Sequence, residues 1–544
     1  MQKYGSKVPP ALAQRALAAT VFDNRWVHLA AAGFAPSPSG GRQGWGHGAG
    51  QGHAAGAAAD RIESALAAAR PARKRLGFLT AAALSALLTG CVNLAPPYAT
   101  PTAPVPATVA LDTGAAPAEA GDAARAAAQA LSWVQSSALR ETIALALDNN
   151  RDLQVALANL ERARALYGVQ QADSLPTVAA TAQGTRNRNA ADLTASGRAQ
   201  TASQFSAQLG FVSYELDLWG RVRNLNETAL QQFLQTAANR RSVELALVAD
   251  VANAWLALAA DQARLRLAQD TLASRQKAYG LTERIHDLGA TSGLVLAQNR
   301  TTVEVARVDA AAYTALVARD RNALQQLVGG PLPAGLLPAP LDSAESGDAE
   351  ALLNVPAPLP SSLLLLRPDI AAAEHGLRAA NANIGAARAA LFPTIALTAT
   401  AGTASDALGG LFASGNGTWS FAPQLRLPLL DGGRARANVR VAEAGTQLAL
   451  AQYDRTVQTA FREVADALAE RAQWAERLQA QSALVAATQK AFDLSEARFK
   501  AGVDNYLTVL DAQRSLYAAQ QSQITLQLAE QLNRITLYKV LGGA

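Results

Sequence analysis

The sequence predicts a mainly α-helical protein with a membrane β part, built from two tandem repeats. The first observation is a duplication, because Asp152–Thr181 matches Asp369–Thr398 at one constant offset. The second is that segments of alternating apolar and small polar residues follow each copy, a pattern typical of β-hairpins. The third is a pair of long stretches without proline, Leu225–Asp287 and Ala437–Phe499. Each repeat is therefore expected to contain one hairpin and long coiled-coil helices.

Composition favours closely packed helices and argues against several functional classes. Among 544 residues, aromatic residues make up 5% and charged residues 17%. The single cysteine, Cys91, excludes an intramolecular disulfide and a multi-cysteine metal site. The five histidines show no ligand spacing, and no basic stripe appears in the part expected to fold. We therefore expect no metal, no cofactor and no nucleic-acid partner.

Residues 1–72 are expected to be an N-terminal extension without a function of its own, or the product of a start site placed too early. Met1 is the only methionine, so a later start would need another initiation codon. A glycine-rich run, Gly40–Gly52, loosely suggests a phosphate-binding loop. No predicted strand precedes this run, which argues against a nucleotide site.

Residues 73–90 have the layout of a lipoprotein signal peptide. The basic cluster Arg73–Arg75 precedes the apolar run Leu76–Leu88, which is too short to span a bilayer. Leu88–Cys91 resembles a bacterial lipobox, which implies cleavage before Cys91 and a lipid such as palmitate on its thiol. The alternative is an ordinary buried cysteine at the end of a core helix. By resemblance, Asn93 favours retention in the outer membrane, and residues 91–135 are expected to form an extended, lipid-anchored linker.

The two repeats are expected at residues 136–330 and 363–541, joined by a linker at 331–362. Their hairpins are placed at about 177–218 and 394–429. We expect a helical stretch from Ser136 with an interruption near Asn149, and polar loops at 184–203 and 402–417.

The alternation within the hairpins predicts one apolar and one small polar face. Phe205, Leu209 and Phe211 share one face, and Gln208 lies on the other; by the same parity Gln424 and Arg426 lie on the polar face. A soluble β-sandwich would also alternate. In an exported, lipid-anchored chain, the pattern favours a transmembrane barrel with these three polar residues facing its lumen. Four strands cannot close a barrel, so several chains must share it.

Each long helix is expected to turn back at a short tip and to pair with a returning helix, Leu294–Leu327 or Leu507–Leu541. Leucine and tyrosine recur every seven residues in these helices, which predicts antiparallel coiled coils. The tip turns are expected near Gly289 and Gly502.

Six motifs carry a family resemblance. They are Leu88–Cys91, Ser213–Arg221 (SYELDLWGR), Arg367–Ile370 (RPDI), Ala380–Arg388, Phe392-Pro393 and Tyr506–Gln513. Together they resemble the outer-membrane efflux factors of the TolC superfamily. The most similar branch is that of the NodT/OprM-like lipoproteins of RND efflux systems.

The resemblance implies a TolC-like fold in the cell outer membrane. A homotrimer would form a 12-stranded barrel on a periplasmic tunnel of helices, closed at its inner tip. A periplasmic adaptor protein and an inner-membrane RND transporter would dock there, and drugs or other small molecules would pass out without catalysis by this chain.

The resemblance also implies roles for the tip residues. The aperture is expected at Asp511, with Asp504 nearby and Thr508 in the place of a second family acid; the alternative for Asp511 is an ordinary helix-surface acid. Adaptor contacts are expected at Gly289, Thr291, Ser292, Gly502 and Asn505. Other functions considered are a type I secretion channel, a non-conducting structural lipoprotein or adhesin, and a periplasmic hydrolase. No nucleophile–base set supports the hydrolase.

Overall fold

Long helices dominate the part of the chain that the structure describes. The computed structural model describes residues 92–102, 104–106, 108–109, 136–341 and 359–543. All of them lie in one unit, Thr89–Ala544. The predicted N-terminal extension, the signal peptide and Cys91 lie outside the described residues, as do residues 342–358 of the predicted linker.

The first repeat contains two shorter helices, a hairpin and two long helices. In chain order the elements up to its end are β1 (Thr108–Val109), α1 (Ser137–Asn149), α2 (Arg151–Ala172), β2 (Val178–Asn189), β3 (Gln200–Leu216), α3 (Arg221–Asp287) and α4 (Gly293–Val328). Asn150 separates α1 from α2, at the predicted interruption. Its side chain accepts a hydrogen bond from the Leu153 N–H at 2.9 Å and so caps α2.

The second repeat follows the same order. Its elements are β4 (Leu359–Pro360), α5 (Pro368–Ala389), β5 (Thr394–Ser405), β6 (Gly417–Arg426), α6 (Arg434–Lys500) and α7 (Tyr506–Val540). β1 and β4 form a small antiparallel pair that joins the leader segment (the described residues from 92 to 109) to the second repeat. The helices and hairpins thus confirm the predicted repeat architecture.

The two hairpins form one antiparallel sheet in the order β2-β3-β5-β6, which leaves β2 and β6 at its edges. The predicted loops were too long. β2 continues to Asn189 and pairs with β3 without a break, and β5 continues to Ser405. The predicted strand at 418–429 also ends earlier, at Arg426. Polar residues at the outer ends of the strands were mistaken for loops because they have no apolar partners to reveal the alternation.

A β-bulge keeps the apolar face of β3 continuous. The pairing with β5 shifts by one residue between Phe211 and Tyr214. Ser213 takes a left-handed conformation there, with φ 60°, and its N–H donates to the Thr398 hydroxyl at 3.1 Å. The extra residue brings Tyr214 back to the side of Phe211.

Two antiparallel helix pairs, α3 with α4 and α6 with α7, form the body. α3 and α6 have 67 residues each, which corresponds to about 100 Å at 1.5 Å per residue. Leu258 and Leu324 are fully buried in the first pair, and Val457 and Val464 in the second. Among the described helices, α3 alone is long and apolar enough to cross a membrane, with mean hydropathy 1.6 in its most apolar window. Its apolar residues belong to the core between α1, α3 and α4, which accounts for this hydropathy.

Candidate functional site

The two tip turns have the same construction. Gly289 and Gly502 follow the ends of α3 and α6 with a positive φ of 73°, a conformation that glycine adopts without strain. Ser292 then caps α4 through the Val295 N–H at 3.4 Å, and Asn505 caps α7 at 3.3 Å. Both turns are exposed, so the predicted adaptor-contact residues lie together at one end of each helix pair.

Hydrogen bonds fix the remaining predicted tip residues. The Thr291 carbonyl lies 3.0 Å from Nδ1 of His286, and the Thr508 backbone N–H is the group that Asn505 caps. Thr508 is exposed and also donates its hydroxyl to Asn505 at 3.3 Å. The tip turns are therefore held by capping groups of their own chain.

The two predicted aperture acids are both paired with arginines. Asp504 accepts two hydrogen bonds from Arg498, at 2.6 and 3.0 Å, and this pairing lowers the pKa of Asp504. Asp511 pairs with Arg514 at 2.8 Å, and both side chains are largely exposed. Asp504 thus fastens the tip turn, while Asp511 remains on the open surface of α7, where a second chain could approach it.

The sheet has one apolar and one polar face. Register places Gln208 beside Gly402, Gln424 beside Ala396, and Arg426 at the end of β6 beside Thr394. The opposite face carries exposed aromatic side chains on β6, with Trp419 81% and Phe421 59% exposed. The three predicted lumen residues therefore share the polar face.

On the polar face the backbones of β3 and β5 approach each other closely at two glycines. These are Gly210 and Gly402, and a Cβ at either position would lie against the neighbouring strand, 2.7 Å from Thr400 Cα or 2.6 Å from Gln208 Cα. We infer from this close approach that the sheet bends toward the polar face between β3 and β5, as a barrel wall bends toward its lumen. The sequence alone did not reveal this role, because a glycine within a strand has several explanations.

The junction between sheet and helices carries the SYELDLWGR motif. Trp219 stacks on Phe392 with ring centroids 4.8 Å apart and donates to the Pro393 carbonyl at 2.8 Å. Arg221 pairs with both carboxylate oxygens of Glu215, at 2.8 and 2.6 Å. The motif therefore joins the strand-to-helix turn of the first repeat to the helix-to-strand turn of the second.

The leader segment is docked on this junction. It belongs to the predicted extended linker, and its Val92 N–H donates to the Leu218 carbonyl at 3.2 Å. Asn224 of α3 donates to the side-chain oxygen of Asn93 at 2.8 Å. Because Cys91 immediately precedes Val92, these contacts bring the chain next to Cys91 to the foot of the sheet.

The structure shows a carboxylate pair inside the first coiled coil, Asp261 and Asp320, that the sequence did not predict. Asp261 of α3 is buried, and Arg264 pairs with it at 2.5 Å and also donates to the Thr525 hydroxyl of α7 at 3.0 Å. Burial, and then the hydrogen bond and charge of Asp261, raise the pKa of Asp320 on α4 to about 6. Asp261 and Asp320 are 59 residues apart in sequence, and only the packing of α3 against α4 brings them together.

The protein is expected to be more heat-stable at pH 5 than at pH 8. The raised pKa means that the folded protein binds the Asp320 proton more tightly than the unfolded chain, whose carboxyl has a pKa near 3.8. This contribution is fully present below pH 3.8 and is lost as pH rises through 6. Asp320→Asn should raise stability at pH 8 by about 1 kcal/mol after solvent screening and should reduce the pH dependence. Thermal unfolding followed by circular dichroism at both pH values checks this, with Asp466→Asn, an exposed acid on α6, as the control.

Within the described ranges, no group of three or more histidine, cysteine, aspartate or glutamate side chains is placed to hold a metal ion. The sheet, the paired tip turns and the long helix pairs together define a channel-forming protein of the outer-membrane type. The chain belongs to the outer membrane efflux protein family, whose model matches residues 142–330 and 359–543.

Known proteins match over most of the chain. The toluene efflux pump outer membrane protein TtgC of Pseudomonas putida is 46% identical over 465 residues, which covers 86% of this chain and 95% of TtgC. A membrane protein from Pseudomonas aeruginosa superposes with TM-score 0.76 at 40% identity, covering 83% of this chain and 97% of that one. The open-state MtrE outer membrane channel of Neisseria gonorrhoeae has TM-score 0.71 at 36% identity, covering 83% and 98%. The predicted family, TolC-like fold and outer-membrane localisation are confirmed.

Proposed function

We propose that this chain is the outer-membrane channel of a tripartite, RND-type efflux pump, through which drugs or other small molecules pass passively to the exterior. The observation that supports this most directly is the four-stranded sheet, apolar on one face and polar on the other, attached to helix pairs about 100 Å long. A sheet with one apolar and one polar face fits the wall of a barrel that separates lipid from a water-filled pore. We infer that the chain itself catalyses no reaction.

The open edges of the sheet require several chains to close the barrel, and the family resemblance makes the proposed assembly a homotrimer with 12 strands. β2 and β6 end the sheet, and lipid cannot satisfy their unpaired backbone groups. The outer helices also expose apolar side chains: Leu166 of α2 is 59% exposed and Val441 of α6 is 70% exposed. Packing β6 and α6 of one protomer against β2 and α2 of the next would cover both surfaces.

The exposed tip turns are where a periplasmic adaptor and an inner-membrane RND transporter would dock. Gly289 and Gly502 are exposed and have no side chain, so the backbone is accessible to a partner at both turns. Thr291, Ser292 and Asn505 flank these glycines. Asp511, together with Asp504 and Thr508, would line the closed aperture. The relative TtgC is named for toluene efflux, which supports small apolar compounds as a substrate class.

A lipid on Cys91 would enter the membrane near the end of the sheet that adjoins the helices. The hydrogen bond from Val92 to Leu218 holds the neighbouring residue there. Labelled palmitate should be incorporated by the wild-type chain and not by Cys91→Ser. Equal labelling of both proteins would show that Cys91 is not the attachment site.

The pump assignment is tested by dye accumulation in cells. Deleting the gene from its host should raise ethidium accumulation several-fold, and the wild-type gene should restore efflux. For a type I secretion channel, accumulation would stay unchanged and a secreted protein would disappear from the medium. For a structural lipoprotein, neither quantity would change.

A further inference from the structure

A cavity of about 340 Å³ lies between the two helix pairs, near their tips. It is formed by α3 and α4 of the first repeat and by α7 of the second. Two arginines, Arg275 and Arg514, line it together with the apolar side chains of Val305, Leu507 and Leu510. The cavity thus combines a cationic end with an apolar surface.

Arg275 is a buried cation whose hydrogen-bonding capacity is only partly used. Its side chain is 3% exposed, and it donates from Nη1 to the Thr302 carbonyl at 2.9 Å. Its Nε–H has no hydrogen-bond partner, and within the described part of the chain Arg275 makes no ion pair. A buried guanidinium without a carboxylate is costly unless a ligand compensates its charge.

The surroundings of Arg275 favour an anion. The guanidinium carbon lies 5.4 Å from the centre of the Tyr517 ring, and the Tyr517 hydroxyl is already occupied by Asp309 at 3.2 Å. Burial lowers the pKa of Arg275 and outweighs the opposing effects of Tyr517 and Asp309, while the positive charge of Arg514 also lowers it. Arg514 has its own partner, Asp511, on the exposed side of α7. An incoming carboxylate would relieve the repulsion between the two arginines.

We propose that this cavity binds a small organic anion. Its carboxylate pairs with Arg275 and Arg514, and its apolar part rests on Val305, Leu507 and Leu510. The volume fits the lower range of small-molecule pockets. Such a ligand touches helices of both repeats, so it holds α7 against α3 and α4. The binding claim is independent of the proposed pump function.

Ligand-observed NMR titration of the purified full-length protein in detergent tests the proposal, with benzoate as the anionic probe and benzamide as its neutral counterpart. Benzoate should bind at least about tenfold more tightly, because charge-assisted hydrogen bonds to arginine are about twice as strong as neutral ones. Arg514→Gln should weaken benzoate binding about threefold to tenfold through the loss of one such pair. Val305→Trp should abolish it by filling the cavity.

Arg307→Gln is the matched control, since Arg307 is an exposed arginine of α4 that pairs with Glu304 away from the cavity. It should bind benzoate as the wild type does. Equal affinities for benzoate and benzamide would overturn the proposal, as would a failure of the folded wild type to bind benzoate. Binding that persists in Val305→Trp would place the anion elsewhere and would equally contradict it.

Discussion

Alanine at Gly210 or Gly402 is expected to prevent formation of the folded membrane sheet. At both positions the added Cβ would meet main-chain atoms of the neighbouring strand, so relief requires the backbone itself to move. We expect the free energy of unfolding to fall by more than about 4 kcal/mol, a size that is typical only of severe structural disruptions. In a membrane barrel this should appear as loss of the compact, heat-modifiable species on gels and as reduced β-sheet circular dichroism.

Gly417→Ala is the matched control, because Gly417 also lies in a strand of this sheet and a Cβ there meets nothing within 4 Å. It should fold like the wild type. If Gly210→Ala and Gly402→Ala assemble as well as Gly417→Ala, the inferred bend toward the polar face does not exist in the membrane.

Replacement of Arg367 by methionine should destabilise the helical body measurably. Arg367 is 7% exposed and donates from Nη1 to the Val540 carbonyl at the end of α7, at 3.0 Å. It also pairs with Asp369 and with Glu463 of α6, each at 2.8 Å. Removing Arg367 leaves the Val540 carbonyl without its donor, while Asp369 and Glu463 are 40% and 37% exposed and remain hydrated. The expected loss is therefore about 1–3 kcal/mol, the cost of an unsatisfied buried polar group.

Thermal unfolding measures this loss, with Arg462→Met as the control. Arg462 lies next to Glu463 on α6, but its ion pair with Asp466 is 4.0 Å long and 72% exposed on both sides. Its removal should cost no more than about 0.5 kcal/mol. Similar unfolding temperatures for the two variants would show that the RPDI motif does not hold α6 and α7 to the start of α5.

The helices were predictable because their determinants are local. The absence of proline predicted how long the helices are. The seven-residue spacing of Leu258, Leu265 and Leu272 predicted that they pair as coiled coils. The helices begin a few residues earlier than expected because side-chain caps extend them. Asp431, for example, accepts from the Gly433 and Ala435 N–H groups, at 2.9 and 2.7 Å. Hydropathy contains no signal for such caps.

The site was only partly predictable, because its chemistry depends on pairings between distant segments. Asp504 could be placed in the tip turn from the sequence, but its ion pair with Arg498 required the closed geometry of that turn. The contact between Tyr517 and Asp309 depends on how α7 lies against α4, which no local pattern encodes. The same holds for the arginine cavity.

Single-channel recording in planar lipid bilayers tests most directly whether the chain forms a pore. The purified wild-type protein should conduct rarely and briefly, because the tips of the proposed trimer would be closed. Asp511→Ala removes the exposed acid of α7 and its pairing with Arg514, so it should give long-lived conductance steps. An intact trimer that never conducts, either as wild type or as Asp511→Ala, would contradict the channel assignment.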